Sequence, residues 1–323
     1  PYRNFLPSIG RLTRYRPPQE RADTTGAVRN DTGVTEGGEI SRFYDPMIAK
    51  LCAWGPSRAA ALEEMRGALD AFEVEGIGHN LPFLATVMDH PRFVAGEMTT
   101  AFIAEEFPDG FAGAELAEPV LRRLAAAGVA MKYVVERRAA QISGAMPNHE
   151  RRVGADWAVS IAGHLWSAEV AEAGAGVYRV RLDGLEDDVR LDWLPGHTLA
   201  RVGIDGAEMT LKVDGRTEGF RIRYRGADLE VRVRPARTAE LAALMPEKVP
   251  ADTSRMLLCP MPGVVVSLAV AEGEEVQEGQ ALCTVEAMKM ENVLRAERKA
   301  VVAAIKAAPG QSLAVDEVIM EFE

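Results

Sequence analysis

Residues 198–215 read Thr198-Leu199-Ala200-Arg201-Val202-Gly203-Ile204-Asp205-Gly206-Ala207-Glu208-Met209-Thr210-Leu211-Lys212-Val213-Asp214-Gly215. Ala200, Val202 and Ile204 alternate with polar neighbours on one side of Asp205-Gly206, and Met209, Leu211 and Val213 do so on the other. A period of two is that of a half-buried strand, and Asp-Gly supplies the positive φ of a tight hairpin. The same pattern extends outward in eight runs: 156–162, 166–171, 176–183, 187–194, 198–204, 207–214, 217–224 and 227–234. Turn residues separate them at Asp183-Gly184, Pro195-Gly196, Asp205-Gly206, Asp214-Gly215 and Arg225-Gly226. Sequential strands joined by hairpins predict an up-and-down barrel or a curled sheet, and closure would remove the exposed edges.

Upstream the period changes to that of a helix. Leu116, Val120, Leu124, Ala127, Met131 and Val134 make one apolar stripe over residues 115–142, long enough to need a large surface to lie against. Such a helix would plug or flank the barrel. Gly128 interrupts it at a cost of about 1 kcal/mol relative to Ala. Before it, residues 1–113 are mixed. Ser57 caps a predicted helix over 57–72, and a shorter one follows Asn80. After the barrel, residues 237–255 carry Pro246 and Pro250 with weak periodicity and read as a linker.

The chain has 323 residues, 47% of them hydrophobic, enough for two or three cores. A net charge of -11 disfavours nucleic acid as a partner, because phosphate binding needs clustered Lys and Arg. No apolar run reaches the roughly 18–20 residues that span a bilayer. Three widely spaced cysteines, Cys52, Cys259 and Cys283, point to a reducing compartment and to no metal site. Pro1 stands where an initiator Met is expected, which predicts sequence upstream.

Residues 256–323 contain an internal repeat. At an offset of 37, Val265 falls on Val302, Gly273 on Gly310, Val276 on Leu313 and Leu282 on Ile319. Two such halves make a small sandwich with a pseudo-twofold axis, each half burying the apolar face of the other. Between them lies Val285-Glu286-Ala287-Met288-Lys289-Met290-Glu291-Asn292, which places Lys289 at a hairpin tip. Taken alone, Lys289 is an ordinary solvated lysine. Met288 and Met290 argue otherwise, because two exposed thioethers need something to pack on, and Ala287 leaves one side of the amine clear. An enzyme can reach such an amine, and acylation turns it into a long neutral tether on a rigid root.

Ala287-Met288-Lys289-Met290 resembles the biotinylation motif of biotin carboxyl carrier domains, and Pro260-Met261-Pro262-Gly263 resembles the stretch that opens them. The resemblance implies biotin on Lys289, flanked by Ala287, Met288 and Met290, and a biotin protein ligase as a partner. Lipoyl domains share this fold, so a lipoyl carrier of a 2-oxo acid dehydrogenase is an alternative. A carrier of a sodium-pumping decarboxylase would match residues 256–323 alone.

Residues 1–113 look like the C-terminal lobe of an ATP-grasp biotin carboxylase. The similarity rests on Leu6-Pro7-Ser8-Ile9-Gly10, Val28-Arg29, Tyr44-Asp45-Pro46-Met47-Ile48-Ala49-Lys50-Leu51 and Gly76-Ile77-Gly78-His79-Asn80. In that family the arginine at the position of Arg29 stabilises the biotin enolate and holds bicarbonate. The simpler reading pairs Arg29 with Asp31 or another loop acid. Asn30 departs from the family, which has an apolar or aromatic residue there. Tyr44, Asp45, Lys50, His79 and Asn80 are expected to be structural, and His90 to sit in a turn without a special role. The family's phosphate loop, metal ligands and general base have no counterpart in these 323 residues, so the expected sites for ATP, Mg and bicarbonate lie outside this chain.

The middle region resembles the linking domain of the propionyl-CoA carboxylase α subunit. Similar stretches are Pro108-Asp109-Gly110-Phe111 and Met245-Pro246-Glu247-Lys248-Val249, followed by Asp252-Thr253-Ser254 and Leu258-Cys259. The expected class is therefore α+β and multidomain: a carboxylase lobe (1–113), a long helix with an eight-stranded antiparallel β-barrel (114–236), a linker (237–255) and a biotinyl/lipoyl-type flattened β-sandwich (256–323). The resemblance implies a carboxyltransferase β subunit in an α6β6 assembly. It also implies the bacterial cytoplasm, or the mitochondrial matrix in a eukaryote. Methylcrotonyl-CoA and acetyl-CoA carboxylases are alternatives, because the β subunit sets the acyl group.

Overall fold

The structure is a computed structural model that describes the chain apart from residues 3–7, 9, 41–46, 109, 145–150, 246–254, 261 and 288–289, and apart from the side chains of Ala287 and Met290. It comprises two compact units, Pro1–Met245 and Pro246–Glu323. Of the residues named above, Leu6, Pro7, Ile9, Tyr44, Asp45, Pro46, Asp109, Met261, Met288 and Lys289 lie outside the described set, as does the linker stretch 246–254.

The first unit begins with a small lobe. Strand Ala27–Thr32 pairs antiparallel with Ala49–Trp54 and with Arg21–Ala22, none of which the periodicity announced. Helix Arg58–Ala71 starts where the cap chemistry predicts, with the Ala60 N–H donating to Ser57 Oγ at 3.2 Å. Helix Leu81–Asp89 follows Asn80, which makes no side-chain cap bond. Phe83, Phe102, Phe107 and Phe111 then close a small aromatic core. Two of the quoted stretches meet in this lobe: the Gly78 N–H donates to Ser8 Oγ at 2.9 Å. Gly76, at φ +101°, lets the backbones touch there, since a Cβ on it would lie 2.2 Å from the Arg11 carbonyl oxygen.

The eight runs form a closed antiparallel barrel in sequence order, with Ala227–Pro235 pairing back onto Asp156–Ile161. Asp183-Gly184, Asp205-Gly206 and Arg225-Gly226 are two-residue turns with both residues at positive φ, as the sequence implies. Ala162-Gly163 is a fourth turn of this kind. Asp214-Gly215 is not a turn. Strand Ala207–Arg216 runs through it, Gly215 pairs with Phe220, and the reversal comes at Thr217-Glu218.

Helix Glu118–Ala140 does not present one stripe. Leu124 through Met131 are buried on every face, including Gly128. A helix lying on the outside of a sheet keeps a wet face; burial all round places this one inside the barrel, as a plug. The sequence around its middle, Ala125-Ala126-Ala127-Gly128-Val129-Ala130, is narrow enough to fit there. An eight-stranded barrel is ordinarily just wide enough for its own side chains. Trp157, Trp166, Leu182, Leu191, Ile204 and Val231 close over the helix in one core. The expected linker also begins later than its composition suggests. Ala236–Ala243 is a helix packed on strands Asp156–Ile161 and Ala227–Pro235.

The second unit is the duplicated sandwich. One sheet orders its strands Met256–Leu258, Val318–Phe322, Ala300–Ile305 and Glu275–Val276; the other orders Met290–Arg295, Ala281–Ala287, Gly263–Leu268 and Ser312–Leu313. The offset of 37 that aligns the sequences converts the first order into the second, strand for strand. The core obeys it as well: Cys259 corresponds to Ala296, Val265 to Val302, Val276 to Leu313, Leu282 to Ile319 and Cys283 to Met320, all buried.

Candidate functional site

The two halves of the sandwich are connected through the hairpin that was singled out in the sequence. Strands Ala281–Ala287 and Met290–Arg295 pair from Ala281↔Arg295 to Ala287↔Met290. Only Met288 and Lys289 stand between the last paired residues. The root of this hairpin is fixed from below. Val285 is buried in the core, and Val265 pairs with it across the sheet. Cys283 is buried two residues further down, and burial pushes its thiol up to about 11, so it stays protonated and inert.

Arg29 lies in the first unit, on strand Ala27–Thr32, opposite Cys52. Its guanidinium forks onto Asp31, Nε to Oδ1 at 3.0 Å and Nη2 to Oδ2 at 3.1 Å, and Nη2 also reaches Cys52 Sγ at 3.8 Å. The Asp31 hydrogen bond raises the Arg29 pKa. The side chain is 68% exposed and faces solvent as an oriented cation. The pairing with Asp31 orients the guanidinium without covering it. Asn30 points to the other side of the strand, donating from Nδ2 to Tyr15 Oη at 3.1 Å, while its backbone N–H donates to Glu20 Oε1 at 2.7 Å. A polar residue is accepted at this position because Tyr15 meets it. Lys50 is exposed and pairs with Asp31 across the sheet.

His79 is half-buried, and burial pushes its imidazole down to about 4, so it is neutral. His90 caps helix Pro91–Ala95 and sets Nε2 3.1 Å from Glu106 Oε2. His79 lines a cavity together with Ala49 and Leu51, on the strand paired with that of Arg29.

A polar seam between lobe and barrel was not legible in the sequence. Lys212 Nζ donates to the Leu69 carbonyl at 2.7 Å, and Arg223 Nη1 donates to Glu75 Oε1 at 2.6 Å. Arg225 spans Asp70 and Asp89, with Nε 3.0 Å from Asp70 Oδ2 and Nη1 3.4 Å from Asp89 Oδ1. Burial pushes the Asp70 carboxyl up to about 6 and the Lys212 amine down to about 8. Lys212 and Arg223 alternate with core residues on their strands, and that alternation by itself reads as an ordinary wet face. Among the described residues no group of three or more His, Cys, Asp or Glu is placed to hold a metal ion, and no helix is long and apolar enough to cross a membrane.

Three family models match in order along the chain: the biotin carboxylase C-terminal domain at residues 1–105, the propionyl-coenzyme A carboxylase BT domain at 124–248, and the biotin-requiring enzyme domain at 256–322. The chain is 61% identical to a propionyl-CoA carboxylase alpha chain of Ruegeria pomeroyi, over 100% of this chain and 50% of that one. The chain matches the C-terminal part of propionyl-CoA carboxylase alpha chains. It is 36% identical to the mitochondrial alpha chain of Mus musculus, over 100% of this chain and 45% of that one. It is 29% identical to a methylcrotonoyl-CoA carboxylase subunit alpha of rice, over 96% of this chain and 46% of that one. The chain thus spans about half the length of the curated relatives it matches. In this chain the plugged barrel occupies the region matched by the propionyl-CoA carboxylase BT-domain model, and the duplicated sandwich the region matched by the biotin-requiring model.

Proposed function

We propose that this chain is the biotin-carrying part of a propionyl-CoA carboxylase alpha subunit, with biotin on Lys289. The complete enzyme would carboxylate biotin with ATP and bicarbonate in the presence of magnesium, then pass the carboxyl group to propionyl-CoA to give methylmalonyl-CoA. The observation that carries this reading is the hairpin register, which leaves Met288 and Lys289 alone between the paired residues Ala287 and Met290. A lysine so connected fits an acyl group, because a rigid two-stranded root holds the attachment point while the side chain supplies the tether. Bound biotin supplies a ureido nitrogen that accepts and releases a carboxyl group.

Arg29 is the residue proposed to act on the charge that develops during that exchange. A fixed guanidinium stabilises negative charge on an oxygen in the transition state, and Asp31 holds the planar fork in one orientation. The proposed division is a carboxylase lobe over 1–113, a helix-plugged barrel over 114–236, a connecting segment and a carrier domain over 256–323. The barrel is proposed to dock a carboxyltransferase β subunit in an α6β6 assembly, and a biotin protein ligase is the modifying partner. The compartment would be the cytoplasm of a bacterium, or the mitochondrial matrix in a eukaryote.

The test is to assemble the complete subunit carrying this sequence with its carboxyltransferase partner and to assay propionyl-, acetyl- and methylcrotonyl-CoA side by side. Preferential turnover of propionyl-CoA supports the reading. Preference for either of the other two, or a lipoyl group recovered on the chain, refutes it.

A further inference from the structure

The lobe and the barrel each close their own apolar core, and the two cores do not merge. Ion pairs and hydrogen bonds cross between them. The hairpin tip Arg225-Gly226 seats against helix Leu81–Asp89, so closely that a Cβ on Gly226 would lie 2.5 Å from the Pro82 carbonyl oxygen. Around the tip, Lys212, Arg223 and Arg225 of the barrel face Asp70, Glu75 and Asp89 of the lobe, beside a cavity of about 40 Å³ whose wall also includes Leu69, Phe72, Leu81 and Ala227. The chain passes from lobe to barrel through Ala112–Ala117, an irregular stretch between the anchored Phe111 and the plug helix.

Buried ion pairs specify geometry well but hold weakly, because leaving water costs each charge much of what pairing returns. Two groups of the seam carry this cost: Asp70 is held up and Lys212 held down by loss of solvent, so the charged form of each is worse off docked than in water, whereas Asp70, Tyr224 and Asp89 hold the Arg225 guanidinium above its ordinary value. Interfaces of this polar kind between parts of one chain ordinarily permit relative motion.

We propose that the seam is an electrostatic latch: the helix-plugged barrel docks on the lobe through Arg223 and Arg225, and swings away as a rigid body about residues 112–117. The latch gives the barrel a defined docked orientation without joining the two cores.

The Arg225 N–H is a direct probe, because it donates across the seam to Asp70 Oδ1 at 3.0 Å, whereas the Val213 N–H donates within the barrel to the Thr198 carbonyl at 2.8 Å. The experiment is residue-resolved amide exchange on the full chain, wild type against Glu75→Gln with Asp89→Asn. These changes remove two lobe charges and leave both probes in place. The latch predicts that exchange at Arg225 rises at least about tenfold in the double variant while Val213 is unchanged, and that about 1 M salt moves the wild type in the same direction. Equal exchange at Arg225 and Val213 in all conditions would overturn the proposal, because the seam would then open only when the barrel unfolds. Loss of near-ultraviolet dichroism from the barrel residues Trp157, Trp166 and Trp193 in the double variant would overturn it too, by showing that barrel and lobe fold as one.

Discussion

Gly128 of the plug helix lies against Val231 of the barrel wall so closely that a Cβ built on Gly128 would sit 2.7 Å from Val231 Cγ1. The glycine that lowers helix propensity is thus what admits the helix into the barrel. Gly128→Ala exchanges a propensity gain of about 1 kcal/mol for overpacking that costs about 1–3 kcal/mol. Gly128→Val adds a branched side chain at the same contact and should prevent the barrel from closing. Urea denaturation followed through tryptophan fluorescence checks both, with Gly128→Ala expected to lower the midpoint and Val231→Ala to restore part of it.

Lys212 predicts a pH dependence of definite sign. Burial holds its amine near 8, below the 10.5 of a free lysine, so the unfolded chain binds more protons between those values. The Lys212 contribution to stability therefore rises as pH goes from 8 to 10.5, by no more than about 3 kcal/mol from the linkage constant. Denaturation at pH 8 and pH 10.5 should show the difference between wild type and Lys212→Met moving toward the wild type. A difference that does not change with pH would place the amine in water.

The barrel was legible because alternation and Asp-Gly turns are local signals, each written within a few residues. The misplaced turn at Asp214-Gly215 shows their limit. The dipeptide has the right chemistry, but Gly215 is used in a long strand and the reversal comes later. The sequence left the long helix to plug or flank the barrel, because its apolar stripe reads the same whether the small residues on its other faces are wet or buried, as they are here. The lobe–barrel seam was invisible for a different reason. Leu69 and Lys212, or Glu75 and Arg223, are 143 and 148 residues apart, and each alone is an unremarkable surface or core position. At the candidate site, the lysine hairpin was legible from the repeat and the motif. Asp31 was one candidate partner for Arg29 beside any other loop acid, and the bidentate geometry of the fork was not legible.

The duplicated sandwich repeats one turn device. Ala271 and Ala308, 37 residues apart, each donate a backbone N–H to the side chain three residues on, Glu274 Oε2 and Gln311 Oε1, both at 3.0 Å. Gln277 and Ala314 do the same to Gln280 Oε1 and Glu317 Oε2, at 3.0 and 2.7 Å. Truncating any one of the four acceptors to Ala should cost about 0.5–1.5 kcal/mol. Amide exchange across residues 256–323 should show similar losses for Glu274→Ala and Gln311→Ala. A large loss for one and none for its repeat mate would show that the two halves are not equivalent.

Arg29→Ala in the complete subunit should separate carrying from catalysis. Loss of one preorganised cationic donor lowers the rate of biotin carboxylation by about 10²–10³-fold. Attachment of biotin should proceed at the wild-type rate, because Arg29 and the hairpin lie in different units. Asp31→Asn should fall between, since it frees the guanidinium from its fork but leaves the charge. Undiminished carboxylation in Arg29→Ala would remove Arg29 from the site.

The most direct measurement is peptide mass spectrometry of the full chain after coexpression with an active biotin protein ligase, beside the Lys289→Arg variant. One biotin per chain is expected, on the peptide that contains Lys289 and missing from the variant. An unmodified Lys289 in the presence of active ligase, or biotin retained by the variant, would contradict it.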